Sequence, residues 1–122
     1  MDAMGHVNNA TYLTYFEEAR LAYYMNLFHY HADDVKKLNF ILAEANVKFR
    51  SPVRAGEKLE AFARVSEFGN KSFKMEYMLL NAETRKRVAE GYTVQVMYDY
   101  EKGVTIPVPE EFKKKILEFE HT

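Results

Sequence analysis

Residues 1–20 read MDAMGHVNNATYLTYFEEAR, and the second half of this stretch decides the fold. From Tyr12 to Phe28 apolar side chains recur at helical spacing, through Tyr12, Tyr15, Phe16, Ala19, Ala22, Tyr23 and Leu27. Leu13, Leu21, Tyr24, Met25 and Phe28 widen the stripe until only Glu17, Glu18 and Arg20 form a polar sector. A helix that is apolar over most of its circumference is enclosed by other elements rather than laid on a surface. The spacing predicts a buried central helix, and such a helix needs a sheet to wrap it.

Downstream the period changes from 3.6 to 2. After a polar link through Asp33, Asp34, Lys36 and Lys37, the residues Ile41, Ala43, Ala45, Val47 and Phe49 alternate with Leu42, Glu44, Asn46, Lys48 and Arg50. Pro52 and Gly56 then break the pattern. Leu59, Ala61, Ala63 and Val65 resume it up to Gly69-Asn70, a pair suited to a tight two-residue hairpin. Phe73, Met75, Tyr77 and Leu79 form a third strand, and Val88, Glu90, Tyr92, Val94, Val96 and Tyr98 a fourth. Pro109, Glu110 and Glu111 open a short second helix, with Phe112, Ile116, Leu117 and Phe119 as its packing side. The order predicts an α+β domain over residues 1–122: one long helix, four antiparallel strands, one short helix. So small a sheet covers the helix incompletely, which makes a second copy of the chain the expected partner.

Composition removes several functional classes. Seventeen basic residues oppose eighteen acidic ones, leaving none of the cationic surplus on which nucleic-acid binding depends. With no cysteine, disulfides, thiolate metal sites and a cysteine nucleophile are all ruled out, and a reducing compartment fits. No apolar run is long enough to span a bilayer, and residues 1–20 do not read as a secretory signal. The expected setting is cytoplasmic, away from membranes. His29 and His31 beside Asp33 and Asp34 lack a third ligand at a recognisable spacing, so they read as a polar linker and no metal is expected.

The turn-forming groups ahead of the helix, Asp2, Gly5, His6, Asn8 and Asn9, carry a family resemblance. DAMGHVNNATYLTYFEEAR is similar to the signature of hotdog-fold acyl-CoA thioesterases of the 4-hydroxybenzoyl-CoA thioesterase superfamily. FILAEANVKFRSPVRAGEKL resembles that family's second strand and its Pro-Val-x-x-Gly-Asp/Glu turn, and TIPVPEEF its closing Ile-Pro segment. The resemblance implies a hotdog fold, with four strands here where the family has five, because the family's first strand precedes the motif. It also implies hydrolysis of an acyl thioester, from coenzyme A or a carrier protein, by a homodimer or homotetramer. No cofactor is implied apart from coenzyme A as part of the substrate.

Site roles follow from the same resemblance. Asp2 occupies the position of the catalytic carboxylate, acting as nucleophile or as general base; read on its own, it caps a turn. Asn9 opens the helix, where backbone N–H groups lack internal partners and the helix dipole adds positive character. Its N–H matches the family's oxyanion donor, while Asn8 and Asn9 also suit helix caps. His6 would orient Asp2, contact substrate or be a satisfied structural group. Gly5 would let the backbone approach the pantetheine arm or adopt a positive φ. Tyr12 and Phe16 would border the acyl pocket. Lys48, Arg50 and Arg54 would hold phosphates, or form a solvated strand face. Glu17 and Glu18 are reserve carboxylates, and Glu90 is either a partnered buried acid or an edge residue. The rival reading is a non-catalytic acyl-CoA-binding hotdog protein, which has no need of Asp2. The histidine-rich motif of hotdog hydratases is absent.

Overall fold

The computed structural model of the chain describes residues 9–29, 38–54 and 56–121. Helix α1 (Asn9–Leu27) is followed by strands β1 (Phe40–Phe49), β2 (Leu59–Phe68), β3 (Ser72–Asn81), β4 (Arg87–Asp99) and β5 (Val104–Thr105), and by helix α2 (Glu110–Glu120). The sheet is antiparallel in the order β1-β4-β3-β2, and β5 pairs with the end of β4. This is the α+β order expected from the periodicity and the hotdog arrangement that the resemblance implies, with α1 on one face of the sheet. The short β5 is an addition. Two residues carry no readable alternation, and β5 exists because Asp99 Oδ1 accepts the Glu101 and Lys102 N–H groups while Gly103 turns with φ 67°.

The helix-facing side of the sheet supplies the core. Phe73, Met75, Tyr77 and Leu79 on β3 and Ala89 and Met97 on β4 are buried beneath Tyr12, Phe16, Tyr23, Tyr24 and Leu27 of α1. Phe112 and Ile116 of α2 close the same layer and Phe119 meets the Tyr23 ring edge-on at 5.1 Å, while Leu117 stays 43% exposed, so the packing side of α2 is narrower than its apolar pattern. Nor is α1 enclosed all round. Leu13 is 43% and Leu21 54% exposed, because a single sheet layer and a short second helix cover only one flank.

Irregularities shift the strand phases. Register slips between Leu42 and Glu44 on β1 and between Val65 and Glu67 on β2 insert one residue each. Another, opposite Leu79 and Leu80, adds Val88 to β4 and buries it. The β2–β3 hairpin closes by the Gly69 N–H donating to the Ser72 carbonyl at 2.8 Å, so Asn70-Lys71 is its centre rather than Gly69-Asn70. Neither central residue has positive φ, and the primed turn that favours Asn-Gly pairs is absent here.

Candidate functional site

The start of α1 is fixed by aromatic packing. The Tyr12 ring meets Phe49, at the end of β1, edge-on at 4.8 Å, and Phe16 stacks on Tyr77 of β3 at 4.8 Å and 11°. Gly91 of β4 permits this approach: a methyl group there would collide with the Asn46 carbonyl and stand 2.8 Å from the Phe16 ring. Asn9 is the first residue of α1, and one turn on Tyr12 touches the end of β1, from which the loop at 50–58 leads on. That loop is anchored by buried Val53 and by Arg50 and Ser51 N–H groups that both donate to the Val88 carbonyl. Glu57 ties the loop to β3 by accepting from Asn81 at 2.9 Å, and Gly56 turns it with φ 88°. Burial raises the Tyr12 phenol above its ordinary range, with Tyr15 and Glu57 adding to the effect. Tyr12 stays neutral.

Beneath α1 runs a chain of buried polar groups. Arg20 donates to the Tyr77 hydroxyl at 3.2 Å, which meets Thr93 Oγ1 at 2.6 Å. Thr93 donates to Gln95 Oε1 at 2.9 Å, so the Tyr77 hydroxyl is the donor in that pair. Gln95 Nε2 reaches the Tyr24 hydroxyl at 3.4 Å, and Tyr24 points on to Met75 Sδ at 3.5 Å. Arg20 and Tyr24 lie one helical turn apart on α1, so the chain pins the helix against β3 and β4 at two points. Periodicity alone missed it, because alternation on β4 assigns Tyr92, Val94 and Val96 to the interior. The structure instead buries Thr93 and Gln95 and turns those apolar residues to the opposite face. The readable signal was two polar residues inside an apolar strand.

Asp2, Gly5 and His6 lie outside the described residues, as do His31, Asp33 and Asp34. Asn9 is placed at the helix start, and Tyr12 and Phe16 are buried beside it. Arg54 sits in the adjoining loop, its N–H donating to Glu57 at 3.3 Å. Lys48 and Arg50 are not brought to the same place: strand alternation sends both to the face away from α1, where Arg50 pairs with Glu90. Glu90 lies inside β4, 23% exposed, held by Arg50 and by Arg87 at 2.8 Å. The Arg50 hydrogen bond, with Arg87 beside it, keeps its carboxyl below the ordinary 4.5. Glu17 and Glu18 are exposed on α1. Among the described residues no three His, Asp or Glu side chains are grouped to hold a metal, and no helix is long and apolar enough to cross a membrane.

Comparison with known proteins adds relatives to this geometry. The chain is 28% identical over 116 residues to the uncharacterised protein YsmA of Bacillus subtilis, covering 95% of this chain and 77% of that one. It is 26% identical over 121 residues to the chloroplastic acyl-acyl carrier protein thioesterase ATL3 of Arabidopsis thaliana, covering 98% of this chain but only 63% of the relative. Among solved structures, a thioesterase of Thermus thermophilus complexed with coenzyme A and Zn superposes with a TM-score of 0.85 at 27% identity, over 100% of this chain and 87% of the other. A 1,4-dihydroxy-2-naphthoyl-CoA thioesterase from Synechocystis shares the fold with a TM-score of 0.84 at 19% identity, over 100% and 90% of the two chains. The profile of the thioesterase-like superfamily matches residues 1–116. The chain belongs to the thioesterase-like superfamily, and thioester hydrolysis is the reaction class that membership assigns to it.

Proposed function

We propose that the chain hydrolyses acyl-CoA at the amino-terminal end of α1. The observation that supports this reading is that α1 opens at Asn9, one turn ahead of buried Tyr12, whose ring packs on Phe49, because the first N–H groups of a helix have no partner inside it. A carbonyl oxygen directed at the Asn9 N–H gains a hydrogen bond and the helix dipole as negative charge develops on it. Asp2, seven residues ahead in the sequence, supplies the carboxylate. It takes a proton from water as the water oxygen bonds to the carbonyl carbon; the carbon–sulfur bond then breaks and the sulfur takes that proton from Asp2, leaving as the thiol. Direct attack by Asp2 is the variant route, passing through an anhydride that water opens.

His6 orients Asp2, Gly5 leaves room for the pantetheine arm, and Tyr12 and Phe16 border the acyl chain. Arg54, in the loop beside the helix start, takes a phosphate of coenzyme A. The coenzyme A held by the Thermus thermophilus thioesterase favours this carrier over a carrier protein. The working unit is a homodimer or a homotetramer, with the pocket shared between copies. Exposed Leu13 and Leu21 on α1 and exposed Ile41 and Leu42 on the edge strand β1 support that assembly. A cytoplasmic setting is part of the same reading.

Thiol release from acyl-CoA tests it. Asp2→Asn is expected to lower kcat by about 10²–10⁴-fold with binding retained, and an unchanged rate removes Asp2 from the mechanism. Acyl-CoA bound by the unmodified chain with no thiol released would establish the non-catalytic reading instead.

A further inference from the structure

On the sheet face away from α1, two cross-strand rows lie side by side. One runs Lys48, Glu90, Met78, Phe62 and the next Asn46, Tyr92, Glu76, Arg64, across β1, β4, β3 and β2. Together they line an open groove of about 640 Å³. Its charge is one-sided. At the β1–β4 end Lys48, Arg50 and Arg87 surround the single carboxylate Glu90, whose two oxygens are already taken by Arg50 and Arg87. Among the described residues Lys48 has no carboxylate partner. At the β3–β2 end Arg64 and Glu76 neutralise each other at 2.6 Å and leave half-exposed Met78 beside Phe62, which is 41% exposed. A surplus of two positive charges therefore borders an apolar floor.

We propose that this groove binds an amphiphile with one carboxylate head and an apolar body, such as a medium-chain fatty acid. The head lies against Lys48 and the free N–H groups of Arg87. The body crosses Met78 to Phe62, within the span of about 14 Å set by three strand spacings. Charge complementarity selects the occupant. A cation meets two uncompensated positive charges, and a neutral chain leaves Lys48 without an acceptor. The groove volume lies in the range of small-molecule sites. The inference goes beyond hydrolysis and holds whether or not the chain cleaves thioesters, because the groove and the start of α1 lie on opposite faces of the sheet.

Methyl NMR of the full chain labelled at methionine tests it, with decanoate as the probe. Met78 borders the groove, whereas Met75 of the same strand is buried on the α1 face and serves as the internal control. Decanoate is expected to shift the Met78 methyl saturably and leave Met75 in place. Lys48→Glu and Phe62→Ser should each weaken binding tenfold or more while Met75 reports an intact core. Should Lys48→Glu not fold, Lys48→Gln gives the same reading with a smaller loss. Equal shifts from decanol or decyltrimethylammonium would reduce the groove to a greasy patch. Undiminished affinity in the Lys48 variants, or a Met78 signal that moves with protein concentration alone because a second copy covers the face, would overturn the proposal.

Discussion

Gln95 has no exposed surface, yet its side-chain amide is bonded at both ends, to Thr93 and to Tyr24. Such a group contributes little while satisfied and costs a great deal when one partner is removed. Gln95→Leu takes one partner from each of the Thr93 and Tyr24 hydroxyls, leaving them only Tyr77 and Met75 Sδ, and should destabilise the chain by about 1–3 kcal/mol, read as a lower urea midpoint at unchanged slope. Adding Thr93→Val should cost less than the sum of the two single changes, since both act on one network. Gly91 is sensitive for a different reason. Gly91→Ala drives a methyl into the Asn46 carbonyl and toward the Phe16 ring, with an expected loss of about 1–3 kcal/mol in the same urea titration. A variant matching the parent would show that β1 gives way at Asn46 as well as α1 at Phe16.

At the scale of elements, α1 and the four long strands were readable because each runs ten residues or more and shows one period over most of that length. The slips at Leu42, Val65 and Val88 were not, since an inserted residue leaves composition untouched while moving side chains to the other face. The alternation that sets Lys48 and Arg50 on the polar side of their strand, where they are candidates to hold phosphates, puts them behind the sheet and away from the helix start in space. The joints between elements carry the pH response. Burial, then the Glu120 hydrogen bond, raises the Tyr23 phenol far above its ordinary 10, and burial raises Tyr24. A phenol whose folded value is raised stabilises the fold fully below pH 10, and that contribution is lost as pH rises further and the unfolded chain ionises. Tyr23→Phe should therefore flatten the fall in melting temperature above pH 10. Glu90 works in the opposite sense. Its folded value is depressed, so its stabilisation is present above pH 4.5 and disappears as pH drops through the lower folded value. Glu90→Gln should remove that acid-side slope, and salt should mimic it because the three partners are partly exposed.

At the scale of the whole molecule, one sheet layer leaves the outer flank of α1 and the edge of β1 uncovered, besides the grooved face. If copies meet there, Leu42→Lys should turn an assembled species in sedimentation into single chains; a parent that already sediments as single chains would remove the shared pocket. The candidate site was legible only as a resemblance. The oxyanion donor proposed for it is a backbone amide, which any residue but proline would supply at position 9, and Asp2, Gly5 and His6 precede the described residues. The opposite edge of the sheet has a guard. Glu120, in the last turn of α2, accepts both the Tyr23 hydroxyl at 2.5 Å and the Val65 N–H of β2 at 3.0 Å. An amide so occupied is withheld from any foreign strand. The final helix thus blocks the edge of β2 at that position, and removing it, or Glu120→Ala, is expected to raise light scattering on prolonged incubation by freeing the amide for another strand.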